Sequence, residues 1–124
     1  MVKSSRRSKR TIHGTKYHTD RKKRKKELSN PAALTRINGK KIKKVRKLGG
    51  NIKKILLSHN EIIIKKGNKN VKAKIIRVLK NPANRHFVRM NVLTKGAIVE
   101  TDKGNVKITN RPGQQAHIQG IITE

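Results

Sequence analysis

The sequence is poor in the residue types on which most enzymes and secreted domains depend. Its 124 residues include no cysteine, no tryptophan, one phenylalanine, one tyrosine and only 6 acidic residues. The absence of cysteine excludes disulfide frameworks, thiol nucleophiles and cysteine-ligated zinc. No paired carboxylates or histidine–carboxylate pair of the kind used in general acid–base catalysis is visible, so we expect no catalytic residues and no enzymatic activity.

Aromatic side chains and long apolar stretches are equally scarce. Tyr17 and Phe87 cannot form the platform on which single-strand-binding sheets stack bases, and we expect Phe87 to pack in the core or at its edge. No apolar stretch could span a bilayer, and no basic amphipathic helix carries an aromatic face, so we expect no membrane partner. The five histidines show no metal-ligand spacing, and we expect neither a metal nor a cofactor.

Positive charge is what the chain has in excess. Lys and Arg number 34 against 6 acids, for a formal net charge of +28. Residues 1–54 carry 21 Lys and Arg against 2 acids, a net of +19, whereas residues 55–124 carry 13 against 4, a net of +9. Such an excess favours a polyanionic partner. Because ordinary solvated faces mix both signs, we interpret the basic run as a nucleic-acid contact rather than a generic or localisation-like charged segment.

The first 40 residues are predicted to be a basic, extended and largely irregular N-terminal arm. Residues 1–30 contain few sizeable apolar side chains. They cannot offset the roughly 1–2 kcal/mol per residue that backbone ordering costs, so we expect the arm to be disordered when free. Residues 20–28 could form a short helix once their charges are neutralised. Asn30 followed by Pro31 would end that helix.

Residues 41–124 are predicted to form a β-barrel body. Short β-branched runs alternate with Gly, Asn and Asp turns, and no segment sustains a 3.6-residue apolar period. This pattern predicts an all-β fold with a small antiparallel barrel. The alternation of Val88, Met90 and Val92 is typical of a half-buried strand. The predicted strands are residues 42–48, 53–58, 61–66, 71–80, 85–93, 97–101, 105–109 and 117–123.

The candidate RNA contacts come mainly from the arm and the start of the body. Lysines serve as point charges, whereas guanidinium groups can also fork onto phosphates or stack on bases. Within the arm, His13, Tyr17 and His18 join the basic residues as candidates. The basic candidates are Arg6, Arg7, Lys9, Arg10, Lys16, Arg21, Lys22, Lys23, Arg24, Lys25, Lys26, Arg36, Lys40, Lys41, Lys44, Arg46, Lys47, Lys53, Lys54, Arg89 and Arg111.

Two turn-rich segments are each open to two interpretations. Gly49, Gly50 and Asn51 lack the pattern of a phosphate-binding P-loop. They form either a glycine corner against an RNA backbone or a purely structural turn. The segment 81–89 is either a capped turn beside a solvated strand edge or a second RNA contact.

Four blocks of the sequence resemble a known family. In chain order they are residues 23–37 (KRKKELSNPAALTRI), 44–53 (KVRKLGGNIK), 81–98 (NPANRHFVRMNVLTKGAI) and 109–114 (TNRPGQ). Together they resemble the archaeal and eukaryotic small-subunit ribosomal protein family known as "eight-e". The eukaryotic members carry an insertion in the β body that this chain lacks, which favours the short archaeal type.

The resemblance implies a structural constituent of the cytoplasmic small ribosomal subunit. The implied architecture is a β-barrel body with a basic N-terminal extension, docked on small-subunit ribosomal RNA. The implied partners are that RNA and neighbouring ribosomal proteins, with no small-molecule substrate and no homo-oligomer. At positions that match the family, the implied RNA contacts are Lys23, Arg24, Lys25, Arg36, Arg46, Gly49, Gly50, Asn51, Lys53, Asn84, Arg85 and His86.

One alternative function stays open from the sequence. A general DNA- and RNA-compacting nucleic-acid chaperone would have the same charge and would bind random duplex DNA equally well. A body of about 80 residues with specific turns is more structure than an indiscriminate charge carrier needs. An RNA-modifying enzyme would require a cofactor fingerprint or a catalytic cluster, and the sequence has neither.

Overall fold

The computed structural model describes residues 8–18, 24, 26, 28, 31–67 and 69–123. The chain divides into two compact units, Met1–Ala32 and Ala33–Glu124. The elements of the second unit are β1 (Thr35–Arg36), β2 (Lys41–Arg46), β3 (Ile52–Ser58), β4 (Glu61–Lys66), β5 (Lys69–Lys80), α1 (His86–Arg89), β6 (Val92–Leu93), β7 (Ile98–Thr101), β8 (Gly104–Ile108) and β9 (Gln119–Ile122).

The strands form one open sheet and one closed barrel. The open sheet has the order β2-β3-β1-β6, and the barrel has the order β4-β5-β7-β8-β9. The all-β prediction with a small barrel is therefore confirmed. Neighbouring barrel strands are antiparallel except at the closure, where β4 and β9 pair in parallel. A ring of five strands requires this, because an odd number of strands cannot alternate direction all the way round.

The core is aliphatic, as the shortage of aromatic residues predicts. In β4, Ile62 and Ile64 are buried on the barrel interior while Ile63 between them is only half buried. This alternation is the period-2 pattern of a strand with one buried face. Leu56 of β3 and Leu93 of β6 belong to the same core cluster. The open sheet therefore shares one hydrophobic core with the barrel, and this core sets where the open sheet lies.

The strand predicted over residues 85–93 is wrong. This segment forms α1, a turn at Asn91, and the two-residue strand β6. The backbone N–H of His86 donates to Asn84 Oδ1 at 2.9 Å, which satisfies a donor at the start of the helical turn. Asn91 has a φ of 49°, a left-handed conformation that ends the turn. The alternation of Val88, Met90 and Val92 therefore does not reflect strand geometry.

Asn81 holds this segment against the sheet. Its side chain is only 6% exposed. Its Nδ2 donates to the carbonyl oxygen of Val92 at 3.1 Å, and its Oδ1 accepts from the backbone N–H of Ala83 at 3.0 Å and from Thr94 Oγ1 at 2.9 Å. Within the segment 81–89, Asn81 is thus a structural residue, which leaves Asn84, Arg85, His86 and Arg89 as its candidate contacts.

The first unit contains a small turn among its described residues. Arg10 and Lys16 form an antiparallel bridge, and Arg10 Nη1 donates to the carbonyl oxygen of Gly14 at 2.6 Å. Gly14 has a φ of 82°, which a side chain would disfavour. The helix considered for residues 20–28 falls mostly on residues outside the described part of the chain.

Gly120 lies where the barrel strands are packed too closely for a side chain, and its substitution tests this packing. A Cβ at this position would lie 2.4 Å from Val106 Cγ1, 2.8 Å from the carbonyl oxygen of Lys107 and 2.9 Å from Ile62 Cδ1. We expect Gly120→Ala to lower the free energy of unfolding by about 2–3 kcal/mol, because overpacking forces the barrel strands apart. Gly39→Ala is the matched control, since its Cβ would meet open space. Equal stability of the two variants in denaturant unfolding would contradict this packing.

Asn81 provides a second stability test. Asn81→Ala would leave the Val92 carbonyl and the Ala83 N–H without their partners in a buried site. We expect it to cost about 2–3 kcal/mol of unfolding free energy. Asn70→Ala, at an exposed position of β5, should change it by less than about 0.5 kcal/mol. Thermal unfolding of both variants measures the difference, and a small loss in Asn81→Ala would show that its hydrogen bonds are not needed.

Candidate nucleic-acid interface

The densest charge in the described part of the body lies on the hairpin formed by β2 and β3. Residues 40–54, called the basic hairpin here, contain eight Lys and Arg and no acidic residue. β2 is the outer strand of the open sheet, and its residues are exposed except for Val45, which is half buried. β2 pairs with no strand other than β3 among the described residues, so the basic hairpin presents its cations at the outer edge of the sheet.

The pairing register of the basic hairpin brings like charges together. Lys44 lies directly opposite Lys54, and the Cβ atoms of such a pair are about 4.5–5.5 Å apart. Arg46 lies two residues along β2 and therefore on the same face as Lys44. Like charges directly opposite each other on a sheet are destabilising. This arrangement favours a ligand that brings negative charge to the face.

The tip of the basic hairpin is a rigid glycine turn. Gly49 and Gly50 have φ values of 70° and 76°, which only glycine adopts readily. The Lys47 N–H donates to the carbonyl oxygen of Asn51 at 2.7 Å, and Asn51 Nδ2 donates to that of Leu48 at 3.3 Å. The glycines are therefore required by the turn itself, whatever the tip contacts. Leu48, which the sequence did not single out, is 96% exposed there.

The described acidic side chains belong to the barrel. Glu61 lies on β4, Glu100 on β7 and Asp102 directly after β7. Glu100 Oε2 accepts from Arg77 Nε at 2.5 Å, and Asp102 Oδ1 accepts from the Lys74 backbone N–H at 3.1 Å. Charge is therefore segregated between the two sheets. The barrel has mixed signs, whereas the basic hairpin of the open sheet is purely cationic.

His59, in the turn between β3 and β4, adds no charge to this surface near neutral pH. Burial lowers the pKa of its imidazole, the nearby Lys40 ammonium lowers it further, and Glu61 opposes both. The neutral form is therefore favoured in the folded protein.

The open sheet brings several separate sequence candidates together. Arg36 on β1 pairs with Ser58 of β3 on one side and Val92 of β6 on the other. β6 follows α1, which contains the candidates His86 and Arg89 and is preceded by Asn84 and Arg85. Exposed candidates on or beside the open sheet are Arg36, Lys40, Lys41, Lys44, Arg46, Lys47, Gly49, Gly50, Asn51, Lys54, Asn84, Arg85, His86 and Arg89, whereas Lys53 is half buried.

The arm candidates are only partly described. Those within the described residues are exposed: Lys9, Arg10, His13, Lys16, Tyr17, His18, Arg24 and Lys26. Arg6, Arg7, Arg21, Lys22, Lys23 and Lys25 lie outside the described residues. Phe87, in α1, is half buried and does not form a stacking platform.

A polar depression adjoins the basic hairpin. The turn after β8 reaches β3, because the Leu56 N–H donates to the carbonyl oxygen of Pro112 at 3.3 Å. Lys53 Nζ of the hairpin also contacts Gln114 Oε1. The depression has a volume of about 650 Å³ and is lined by Lys95, Thr109, Asn110, Arg111, Gln114, Gln115 and Gln119. The sequence predicted only Arg111 among these, since the others carry no charge run or motif that marks them.

Two other kinds of site do not occur in the described ranges. No group of three or more His, Asp or Glu side chains there could hold a metal ion. No helix in the same ranges has the length and hydrophobicity to cross a membrane.

Comparison with known proteins identifies the family. The family described as "Ribosomal protein S8e" matches residues 4–123. The small ribosomal subunit protein eS8 of Nanoarchaeum equitans is 49% identical over 121 residues, covering 95% of this chain and 94% of the relative. Its counterpart in Methanobrevibacter smithii is 40% identical over 124 residues, covering 98% and 99%. The resemblance noted in the sequence is confirmed, and the chain belongs to the ribosomal protein S8e family.

Proposed function

We propose that the chain is a structural constituent of the small ribosomal subunit that binds and stabilises folded small-subunit ribosomal RNA. Its family consists of ribosomal proteins rather than enzymes, and its place is the cytoplasmic ribosome. Ribosomal RNA and other ribosomal proteins are its partners. The basic arm, residues 1–40, neutralises phosphates, and the β body, residues 41–124, docks on the folded RNA.

The opposed lysines of the basic hairpin carry this proposal. Lys44 and Lys54 face each other across two strands that contain no carboxylate. RNA phosphates placed over this face would neutralise both ammonium groups and release condensed counterions. The same charges that destabilise the free hairpin would then contribute to binding.

Recognition by backbone and shape fits the side chains available. Tyr17 and Phe87 are the aromatic residues of the chain, and Phe87 is half buried. Proteins that read single-stranded bases usually stack them on exposed aromatic rings. Lysine and arginine contacts to phosphates need no such rings, so the basic hairpin would dock on the backbone of a folded RNA.

Salt dependence and a paired substitution test the charge mechanism. With 6–10 phosphates contacted, we expect affinity for a small-subunit ribosomal RNA fragment to fall on the order of 10³–10⁵-fold between about 50 and 200 mM salt. In Lys44→Gln/Lys54→Gln, the slope of log affinity against log salt should be smaller by about 2, because two phosphate contacts are lost. The unfolding free energy should rise by about 0.2–1 kcal/mol as the repulsion disappears.

The matched control is Lys66→Gln/Lys69→Gln. These lysines also oppose each other across a hairpin, but between β4 and β5 of the barrel. The control removes the same amount of charge and should weaken RNA binding less than Lys44→Gln/Lys54→Gln does. A nearly flat salt dependence, or an equal loss of affinity in both double variants, would overturn the role of the basic hairpin.

Competition against DNA separates the proposal from the alternative of a nucleic-acid-compacting chaperone. We expect the folded ribosomal RNA fragment to be preferred over random duplex DNA by about 10³-fold at physiological salt, as specific nucleic-acid complexes usually are. Filter binding with excess DNA competitor measures this ratio. Comparable affinity for the two nucleic acids would instead support indiscriminate compaction.

A further inference from the structure

The depression beside the basic hairpin is a second polar surface, separate from the opposed lysines. We call it the amide pocket and define it by Lys95, Arg111, Gln114, Gln115 and Gln119, which line it together with Thr109 and Asn110. None of these side chains is a carboxylate or an aromatic ring. The amide pocket is an open surface depression of about 650 Å³, which is more than a lone phosphate would fill.

The wall of the amide pocket is held in place by Asn110. Asn110 Nδ2 donates to Gln115 Oε1 at 2.8 Å and to the carbonyl oxygen of His117 at 2.8 Å. Asn110 Oδ1 accepts from the Gln119 backbone N–H at 2.9 Å. The turn is closed further by the Gln114 N–H, which donates to the carbonyl oxygen of Arg111 at 2.9 Å. The amide groups therefore sit on a fixed turn rather than on a loose loop.

The charge in the amide pocket is positive and has no acidic partner within the described part of the chain. Lys95 and Arg111 are exposed, and neither forms an ion pair with any described residue. The barrel acids Glu100 and Asp102 are engaged with Arg77 and with the backbone of Lys74. A ligand that carries negative charge is therefore favoured at this site. Arginine favours phosphate, because its planar fork matches two phosphate oxygens.

The amide side chains require a ligand that both donates and accepts hydrogen bonds. The side-chain oxygens of Gln114 and Gln115 already accept from Lys53 and Asn110, so these two residues mainly offer N–H donors. Gln119 can offer both its carbonyl acceptor and its two N–H donors. The edge of a nucleobase displays the same mixture, and unstacked bases in RNA are read through such edges. A phosphate joined to a base therefore satisfies both halves of the amide pocket, whereas inorganic phosphate would satisfy only the cations.

The amide pocket is continuous with the basic hairpin. Lys53 Nζ contacts Gln114 Oε1, and the Leu56 N–H donates to the carbonyl oxygen of Pro112. Lys53 and Lys54 are successive residues of β3, so their side chains point to opposite sides of the sheet. A polynucleotide backbone bound at Lys44 and Lys54 can therefore reach the pocket by passing around the tip of the hairpin. We infer that the amide pocket holds one unstacked nucleotide of ribosomal RNA, with Lys95 and Arg111 on its phosphate and the glutamine amides on the edge of its base. This inference rests on the proposed RNA-binding function.

Nuclear magnetic resonance on the isotope-labelled full chain tests the inference. A single-stranded RNA tetranucleotide should shift the side-chain amide signals of Gln115 and Gln119 and the Nε–H signal of Arg111 in a saturable manner. Inorganic phosphate should shift the Arg111 signal and leave the glutamine amides unchanged. If a free nucleoside monophosphate bound as tightly as the tetranucleotide, the site would belong to a free nucleotide, and the RNA assignment would be wrong.

Two substitutions divide the roles within the amide pocket, and a third, outside it, is the control. Arg111→Ala should weaken tetranucleotide binding on the order of 10-fold and reduce the salt slope by about 1, as the loss of a phosphate contact does. Gln119→Ala should weaken binding and alter the preference among the four bases, with the salt slope unchanged. Lys107→Ala, an exposed charge on β8 outside the pocket, is the control and should weaken binding by about 2-fold or less.

The failure of this inference is distinguishable from failure of the proposed function. If the tetranucleotide shifted signals of the basic hairpin but left Gln115 and Gln119 unchanged, the nucleotide site would be refuted while RNA docking stood. If neither the hairpin nor the amide pocket responded to RNA, both would be refuted.

Discussion

A large excess of positive charge, with few acidic residues to balance it, is the main constraint on this structure. Lys and Arg outnumber the acids 34 to 6. Within the described residues, the barrel pairs Arg77 with Glu100, whereas the basic hairpin has no acidic residue at all. No carboxylate of the described residues pairs with Lys44 or Lys54, so a bound anion would relieve the repulsion between them. An exposed ion pair such as that of the barrel contributes little to stability. The stability of the free protein must therefore come from other interactions.

An aliphatic core stabilises the fold against this charge repulsion. Ile62, Ile64, Val99 and Val106 are almost completely buried, and Leu56 ties the open sheet into the same cluster. Burial of each such side chain stabilises the fold by about 1.5–3 kcal/mol without any help from surface charges. The lysines on the free edge of β2 also hinder pairing with a strand of another molecule. The basic edge thus protects the free protein and serves as its proposed docking surface.

The sequence predicted the elements that carry local patterns and missed those that depend on distant contacts. The strand Glu61–Lys66 was predicted with the same bounds, because its isoleucines alternate between flanking turns. The strand β1 has only two residues and no pattern of its own. The segment 85–93 misled because Val88, Met90 and Val92 alternate by chance, while Asn81, Asn84 and Asn91 determine the actual turn. The basic hairpin is visible as a charge run, but the amide pocket forms only when Asn110 and Pro112 fold back on Gln119 and Leu56.

Directed cleavage of ribosomal RNA tests whether the basic hairpin docks on that RNA. Because the chain has no cysteine, Leu48→Cys places a single thiol at the exposed tip of the basic hairpin, where an iron chelate that generates hydroxyl radicals can be attached. Lys103→Cys places the same probe beside Asp102 in the barrel. In small subunits assembled with each variant, the account predicts strong cleavage of a few clustered nucleotides from position 48 and weaker cleavage from position 103. Cleavage from position 103 alone, or equal cleavage from both positions, would contradict it.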